Sequence, residues 1–315
     1  MTATLSSEVP TGDGWGFEVK WDGIRAIVFV DHGEVCVQSR NLLDVTGQYP
    51  ELQALGKEFR DRDAILDGEV VAPDEHGRPQ FSRLQQRMHQ TSAAVINEGM
   101  RKYPVSYMVF DLLEVDDQST MRLPYVERRA RLESLELSGP WWQTPGYHAG
   151  DGAVVLGATK SQQLEGIIAK RLDSTYEPGR RTRAWLKIKN KNRQEFVIGG
   201  WSPGSGNRAD HFGALLLGYY EGDRLIYAGH VGTGFTRKTL DDLLRRLEAL
   251  RRDTSPFVST PRIPGAVWIE PELVADVEFT EWTNDGVLRH PSFKGLREDK
   301  PARDVVRETP QPMRE

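Results

Sequence analysis

Lys20 lies where the sequence predicts that a short strand meets a turn, in the segment Glu18-Val19-Lys20-Trp21-Asp22-Gly23-Ile24-Arg25. A lysine in such a turn is most often a solvated surface residue. Its amine, with an ordinary pKa of about 10.4, is a poor nucleophile at neutral pH unless nearby cations, a metal or burial favour the neutral form. The chain supplies cations in quantity, so we consider Lys20 a candidate nucleophile.

A run of cations without an acidic residue lies further along the chain: Arg180, Arg181, Arg183, Lys187, Lys189, Lys191 and Arg193. Such a run is commonly a solvated surface. Here Trp185, Leu186 and Ile188 alternate with the cations, which predicts a strand with one face towards phosphate groups. Lys187 and Lys189 fall on the same face of that strand, so both can approach one phosphate where negative charge builds up.

These side chains need elements that hold them in place. Strands are predicted by alternating or short apolar runs over 15–20, 25–30, 34–39, 64–66, 69–72, 105–115, 166–170 and 184–189. Apolar residues three or four apart predict helices over 51–59, 81–88 and 125–135. After residue 192 the pattern becomes rich in strands, over 195–201, 214–220, 224–231 and 267–281, with an amphipathic helix over 239–251. The first part is therefore expected to be α+β, and the second fits an OB-type barrel.

Length and composition agree with this division. A chain of 315 residues that is 38% hydrophobic can bury a sizeable core, and we expect domains at 1–192 and 193–302 with a flexible tail at 303–315. The net charge of −5 argues against a protein that coats nucleic acid through bulk charge. One cysteine, Cys36, permits neither a disulfide within the chain nor a four-cysteine zinc site. No segment has the apolar length to cross a bilayer, and we expect a cytoplasmic protein.

Lys20-Trp21-Asp22-Gly23 together with Arg25 resembles the nucleotidyl-lysine motif of the covalent nucleotidyltransferases, which include DNA ligases, RNA ligases and mRNA capping enzymes. Further segments match this superfamily in the same order: 39–41, 67–69, 107–111, 165–170, 185–189 and 297–300. Within it, segments 17–25, 39–52 and 78–87 are most similar to bacterial ATP-dependent DNA ligases of the end-joining type, the LigD ligase module and its LigC relatives. The resemblance implies an α+β nucleotidyltransferase domain, with ATP-grasp-like antiparallel sheets and helices, followed by an OB-fold β-barrel.

The resemblance also implies roles in ATP binding. Lys20 would attack the α-phosphorus of ATP and expel pyrophosphate, which leaves AMP on the amine. Glu18 and the main chain at Val19 would read adenine. Phe110 would stack on the base, although an ordinary strand-core residue is the alternative for this ring. Arg25 would hold the ribose.

Carboxylates in the matching segments are implied to bind the metal. Glu69 would hold the ribose with Arg25 and would also bind Mg²⁺ or Mn²⁺ with Glu165, since such cations prefer carboxylate oxygens. Asp22 could assist the metal or orient the leaving hydroxyl in the last step. Each of these carboxylates, taken alone, is more often a surface residue.

Further cations are implied to contact phosphates. Arg40 would meet the nucleotide or the 5′-phosphate of DNA through its planar fork, and Arg181 could add to the cradle around ATP. In the second domain, Arg297, Asp299 and Lys300 would contact the departing pyrophosphate, or else form a cluster of solvated charges. The remaining cations of the run are expected to contact DNA: Arg180, Arg183, Lys191 and Arg193.

The implied reaction is ATP-dependent sealing of a DNA nick in three steps: adenylylation of Lys20, transfer of AMP to a 5′-phosphate, and attack by the 3′-hydroxyl. All three are phosphoryl transfers. A GTP-using capping enzyme, an RNA ligase and a non-catalytic OB-fold binder of nucleic acid remain as alternatives. An NAD-dependent ligase is disfavoured, because its zinc module needs four cysteines.

The resemblance implies partners as well. Nicked or broken double-stranded DNA is the expected substrate, and a Ku homodimer at broken ends is the expected protein partner. The chain is expected to be a monomer without membrane contact, in the bacterial cytoplasm at the nucleoid. Whether polymerase or nuclease modules accompany it is left open by the sequence.

Overall fold

The computed structural model describes residues 1–59, 62–208 and 210–309, apart from the side chain at position 207. The chain divides into two compact units, which cover residues 1–190 and 191–309 of the described part. Within the described residues, no helix combines the length and the apolar character that a membrane-spanning helix requires.

The first unit mixes strands and helices. Its strands are β1 (Thr2–Leu5), β2 (Trp15–Val19), β3 (Ile24–Asp31), β4 (Glu34–Ser39), β5 (Ala64–Val71), β6 (Ser106–Val115), β7 (Gln118–Ser119), β8 (Ser138–Gly139), β9 (Trp142–Gln143), β10 (His148–Ala149), β11 (Gly166–Arg171) and β12 (Arg181–Lys189). Its helices are α1 (Gly56–Phe59), α2 (Phe81–Leu84), α3 (Ala93–Lys102), α4 (Tyr125–Glu133) and α5 (Gly152–Ser161), and 3-10 turns cover Thr46–Gln48 and Pro50–Leu55.

The strands of this unit form separate sheets. One sheet has the order β1-β12-β11-β2-β10, and another has the order β4-β3-β5-β6-β9-β8, with β7 beside β6. Neighbouring strands are antiparallel except at β1–β12 and β6–β9, which pair in parallel. Along β3, buried and more exposed residues alternate, so Ala26, Val28 and Val30 enter the core of the second sheet with Leu66 of β5.

Several helices differ from their predictions. The helix expected over 51–59 begins as the 3-10 turn Pro50–Leu55 and becomes α-helical at Gly56, and the one expected over 81–88 ends at Leu84. Helices α3 and α5 were not predicted. Helix α3 fully buries none of its residues, and its apolar stripe is short, because only Ile96 and Met100, four residues apart, are large apolar residues that become half-buried.

The second unit is mostly strands. It contains β13 (Asn192–Pro203), β14 (Phe212–Glu221), β15 (Arg224–Val231), β16 (Arg251–Arg252), β17 (Val267–Ile269), β18 (Val274–Phe279), β19 (Glu281–Trp282), β20 (Leu288–Arg289) and β21 (Ser292–Leu296). Helix α6 (Arg237–Ala249) follows β15, and 3-10 turns cover Gly206–Arg208 and Ala302–Asp304. Strand β13 pairs with β14, β17 and β18, and α6 buries Leu240, Leu243 and Leu247.

The segment from 303 onwards, expected to be a flexible tail, lies against this unit as far as residue 309. Val305 is fully buried, and its carbonyl accepts a hydrogen bond from the Tyr220 N–H at 2.7 Å. The Gln194 side chain donates to the Val306 carbonyl at 3.1 Å and accepts from the Glu308 N–H at 3.1 Å. Hydrogen bonds from the Tyr220 main chain and the Gln194 side chain therefore hold the backbone of this segment. Positions 310–315 of the expected tail lie outside the described residues.

Candidate active site

Lys20 follows β2 directly and lies beside Glu165, which precedes β11. The pairing of Val19 with Ile167 brings the two strands together, and the Lys20 N–H donates to the Gly166 carbonyl at 2.9 Å. The Lys20 Nζ then lies 2.5 Å from Glu165 Oε2, with side chains that are only 20% and 13% exposed. The amine predicted to be the nucleophile is thus paired with a carboxylate predicted to bind metal.

Lys20 opens onto a pocket that gathers several predicted residues. Those that line it are Glu18, Val19, Lys20, Arg25, Glu69 and Phe110. Residues without a predicted role complete the lining: Ala3, Trp21, Ile168, Lys170 and Trp185. The structure therefore brings together Lys20 and five of the residues that the resemblance assigned to ATP, although they come from distant parts of the chain. The lining does not include the other four: Arg40, Arg181, Arg297 and Lys300.

Glu18 lies in this pocket with its carboxylate held by buried donors. The Lys170 Nζ is 2.9 Å from Glu18 Oε1 and 2.8 Å from Oε2, and the Tyr125 hydroxyl donates to Oε1. The side chains of Glu18 and Lys170 are 8% and 1% exposed. Lys170 and Tyr125 were missed in the sequence. Lys170 could have been recognised from the sequence, because it is a cation within an otherwise apolar strand. Tyr125 begins a helix, and nothing in the neighbouring sequence indicates a role in the pocket.

Arg25 is held by Asp67, which the sequence placed in a motif but gave no role. Its Nε and Nη2 donate to the two oxygens of Asp67, a fully buried carboxylate. Its Nη1 donates to the Met1 carbonyl, and Nη2 lies 3.1 Å from the Tyr176 hydroxyl. Burial alone would lower the pKa of Arg25, but Asp67 raises it above its usual range. The guanidinium is therefore fixed in one orientation at the pocket.

Phe110 contributes part of an aromatic wall. Its ring meets the Trp185 ring edge to face, with centroids 6.2 Å apart, and is partly exposed in the pocket. The Arg25 guanidinium carbon is 5.6 Å from the Phe110 centroid, and the Lys170 Nζ is 4.6 Å from it. A ring held in this way offers its free surface to a flat base.

The carboxylates predicted to bind metal lie around the lysine but are not preassembled. Among the described residues, the oxygens of Asp22, Glu69 and Glu165 do not all come within 4.8 Å of one another. Mg²⁺ is commonly held by one or two carboxylates together with substrate phosphates and water. Glu165 and Glu69 fit such a set, because Glu69 lines the pocket and Glu165 contacts Lys20.

The turn after Lys20 requires glycine at position 23 because the backbone there lies close to β5. A Cβ at this position would lie 2.2 Å from the Val70 carbonyl oxygen and 3.0 Å from Cγ of Glu69. The turn can therefore pass close to β5 only without a side chain. This close approach keeps Asp22 and Lys20 beside the strand that carries Glu69.

Strand β12 places its lysines on the pocket side of the sheet. Lys187 and Lys189 pair across from Ile168 and Gly166 of β11, and Lys187 shares a face with Trp185, which lines the pocket. Leu186 and Ile188 point the other way into the core. The alternation predicted from sequence is present, and both lysines are half-buried.

The arginines before them are more exposed. Arg181 donates to the Ala3 carbonyl at 3.0 Å, and Ala3 itself lines the pocket. Arg180 pairs with Glu177 at 3.1 Å, and Arg183 lies exposed on β12. Arg40 lies exposed in the turn after β4, whose last residue, Ser39, pairs with Ala26 of β3.

The predicted cations of the second unit are engaged by carboxylates of that unit. Arg297 forms a fork to Asp299 with two contacts of 2.8 Å, and Lys300 lies 3.2 Å from Glu195. Arg193 is held by Asp276 at 2.6 Å, with side chains 15% and 4% exposed. Lys191 is more exposed and lies 3.1 Å from Glu278. These ion pairs were not foreseen.

Comparison with known families agrees with both units. The family described as "ATP dependent DNA ligase domain" matches residues 4–189, and the family described as "ATP dependent DNA ligase C terminal region" matches residues 208–300. The multifunctional non-homologous end joining protein LigD of Mycolicibacterium smegmatis is 42% identical over 295 residues. LigD of Pseudomonas aeruginosa is 39% identical over 317 residues.

The match to the Mycolicibacterium smegmatis protein covers 93% of this chain but only 37% of that LigD protein. The match to the Pseudomonas aeruginosa protein covers 98% of this chain and 36% of that LigD protein. Among solved structures, a mycobacterial DNA ligase D complexed with ATP and MES matches with a TM-score of 0.69 at 39% identity. That match covers 97% of this chain and 98% of the other. The ligase domain of Mycobacterium tuberculosis LigD matches at 40% identity with a TM-score of 0.51.

These matches confirm the expected fold, a nucleotidyltransferase domain followed by an OB-fold domain. Since one family covers more than half of the chain and close relatives cover nearly all of it, this chain belongs to the family of ATP-dependent DNA ligases.

Proposed function

We propose that this chain seals nicks in double-stranded DNA through AMP bound covalently to Lys20. The observation that carries the proposal is the position of the Lys20 amine, which lies at the pocket that gathers Glu18, Arg25 and Phe110 and contacts Glu165. In the first step the Nζ–P bond forms while the bond from the α-phosphorus to the bridging oxygen breaks. Pyrophosphate leaves, and the amine gives up its proton.

Glu165 is the acceptor within reach of that proton. Its Oε2 lies 2.5 Å from Nζ, and a candidate base must lie within hydrogen-bond reach of the proton that it takes. In this proposal the pair has two effects, because it aims the amine and also gives the proton a destination.

Negative charge on the phosphates needs neutralisation. We propose that Lys187 and Lys189 supply it; the support is that both share a strand face with Trp185, which lines the pocket. Once the proton that Glu165 takes from Lys20 has passed to solvent, Glu69 and Glu165 would hold Mg²⁺ or Mn²⁺, with Asp22 in support. Such a cation supplies further charge neutralisation at the phosphates. Arg297 and Lys300 of the second unit would contact the departing pyrophosphate, and Arg181 would add to the cradle.

The later steps need DNA beside the same amine. AMP passes to a 5′-phosphate, and the neighbouring 3′-hydroxyl then attacks that phosphorus and releases AMP. We propose that Arg40, Arg180 and Arg183, which are exposed, contact the DNA backbone together with Lys191. For Arg193 a DNA contact requires exchange of its Asp276 partner.

Labelled ATP tests the proposal directly. The wild-type chain, incubated with α-labelled ATP and manganese, should acquire one acid-labile AMP at Lys20, located by mass spectrometry of its peptides. Lys20→Ala should acquire none, while Lys160→Ala, a change at an exposed lysine of α5, should label like the wild type. Failure of the wild type to label, or labelling of Lys20→Ala, would contradict the proposal.

The same assay separates the alternatives. Label from GTP alone would indicate a capping-type enzyme, and sealing of nicked RNA in preference to nicked DNA would indicate an RNA ligase. Nucleic-acid binding that persists in Lys20→Ala, with no label in the wild type, would indicate an OB-fold binder.

A role in non-homologous end joining is proposed from the relatives, which carry that term in their names. A Ku homodimer is the proposed partner at broken ends, and polymerase or nuclease modules are proposed as companions. The chain would act as a monomer in the cytoplasm, at the nucleoid. End-joining assays with linear DNA, with and without Ku, test this role by the gain in joined product.

A further inference from the structure

Lys170 is a buried cation that the proposed chemistry does not use. It lies in β11, opposite Trp185 of β12 and Gly16 of β2, and its side chain is 1% exposed. Its Nζ is surrounded by aromatic rings, with centroids at 4.3 Å for Trp185, 4.6 Å for Phe110 and 4.9 Å for Tyr125. A charge placed so deeply requires a partner, and that partner is Glu18.

The contacts on Glu18 are unequal between its two oxygens. Oε1 receives the Tyr125 hydroxyl and the Lys170 Nζ, whereas the described contact on Oε2 is the Lys170 Nζ at 2.8 Å. Arg129 Nη1 lies 3.9 Å from Oε1, beyond hydrogen-bond distance. A carboxylate oxygen accepts more than one hydrogen bond, so Oε2 retains capacity for a donor in the pocket.

The two charges depend on each other. Burial lowers the pKa of Lys170 below its ordinary value, and the carboxylates of Glu18 and Asp111 offset part of this effect. The Lys170 Nζ contacts both oxygens of Glu18, and the Tyr125 hydroxyl donates to one of them, so these two residues fix the direction in which the carboxylate faces the pocket. Without the cation the carboxylate would lose the contact that orients both of its acceptor oxygens.

We propose that Lys170, with Tyr125, is the positioning residue that makes the pocket select a 6-amino purine over a 6-oxo purine. Held as an acceptor-only carboxylate, Glu18 takes a hydrogen bond from the 6-amino group of adenine. The 6-oxo group of guanine or hypoxanthine has only lone pairs at the same position, and the carboxylate repels it. This inference rests on the proposed use of ATP in this pocket. It gives the reason why the pocket prefers adenine to other purine bases.

The test compares ATP with inosine triphosphate, which carries a 6-oxo group in place of the 6-amino group. For each enzyme form, kcat/KM for nucleotide transfer to Lys20 is measured with both nucleotides. Lys170→Met removes the cation at similar volume, Tyr125→Phe removes one hydroxyl donor, and Lys160→Met is the matched control at an exposed lysine of α5.

The ratio of kcat/KM for ATP over inosine triphosphate should fall about tenfold or more in Lys170→Met, as expected for a lost charge-assisted hydrogen bond. It should fall by a smaller factor in Tyr125→Phe and stay at the wild-type value in Lys160→Met. A purely structural role would lower both rates equally, so an unchanged ratio in Lys170→Met overturns the inference.

If Lys170→Met does not fold, Tyr125→Phe decides, because it keeps both charges and removes only the hydroxyl. An unchanged ratio in that variant then overturns the inference. A failure of the proposed function would be recognised by a different result. That function predicts that Lys20 of the wild-type chain takes the label from ATP, whatever the ratio in the variants.

Discussion

At the scale of single residues, close approaches of the backbone decide where the reactive groups lie. A Cβ added at Gly23 would lie 2.2 Å from the Val70 carbonyl oxygen. Gly166 has a φ of +149°, and its would-be Cβ would lie 2.0 Å from the Ile188 carbonyl oxygen. One glycine follows Lys20 by a few residues and the other follows Glu165 directly, so both halves of the ion pair depend on positions without side chains.

Gly23→Ala should damage both stability and reaction. Because the nearest neighbour is a backbone oxygen that cannot rotate away, the turn must shift, and we expect a loss of about 1–3 kcal/mol in the free energy of unfolding. The rate of Lys20 adenylylation should fall as well. Urea unfolding and the labelling assay measure the two effects.

The control for this change is Gly14→Ala, because a Cβ at Gly14 meets no atom within 4 Å. We expect that variant to stay within about 0.5 kcal/mol of the wild type. Equal unfolding free energies for the two variants would show that the approach to Val70 does not constrain the turn.

At the scale of elements, pairing register brings distant parts of the site together. Strand β11 lies between β2 and β12, so Ile168 has Glu18 on one side and Lys187 on the other. A slip of one residue would turn every side chain of β11 to the opposite face. Leu186, Ile188 and Ile167 prevent such a slip, because their burial in one cluster fixes the faces of both strands.

Helix α6 illustrates the stabilising role of an apolar stripe in the second unit. Leu247 is fully buried in the core of that unit, and Leu247→Ala should cost about 2–5 kcal/mol through lost burial and the cavity left behind. Thermal and denaturant unfolding measure the loss.

Arg245→Ala on the exposed face of α6 is the matched control. It removes only a surface contact to Asp242, and we expect a change within about 0.5 kcal/mol. A small loss in Leu247→Ala would mean that α6 contributes little to the fold of the unit.

At the scale of the whole molecule, each unit has its own core. The buried cluster of the second unit is drawn entirely from residues 196–305, and the clusters of the first unit end at Ile188. The chain is thus built from parts that bury their apolar surface separately, as independent domains do.

Residues 191–309, produced alone, should therefore fold and unfold in one cooperative transition, measured by circular dichroism on heating. A fragment of residues 204–309, which lacks β13, should show no such transition, because β13 pairs with β14, β17 and β18. Absence of a transition in the longer fragment would mean that this unit needs the rest of the chain to fold.

The sequence by itself determined the kind of chemistry and the order of the parts. Three features could be read from neighbouring residues alone: Lys20 in its turn, the alternating cations of β12, and the change to strands after residue 192. Such local patterns do not depend on contacts between distant parts of the chain. Helix α3 was not predicted because its apolar stripe is short: none of its residues is fully buried, and Ile96 and Met100 are its half-buried large apolar residues.

Only the tertiary structure decided which groups meet. Lys20 and Glu165 are 145 residues apart, Arg25 and Asp67 are 42 apart, and Glu18 and Lys170 are 152 apart. Each pair forms because the register of paired strands, set by burial of whole sheet faces, places the two side chains together. Periodicity along one strand says which face a residue occupies, but not which residue of another strand lies opposite.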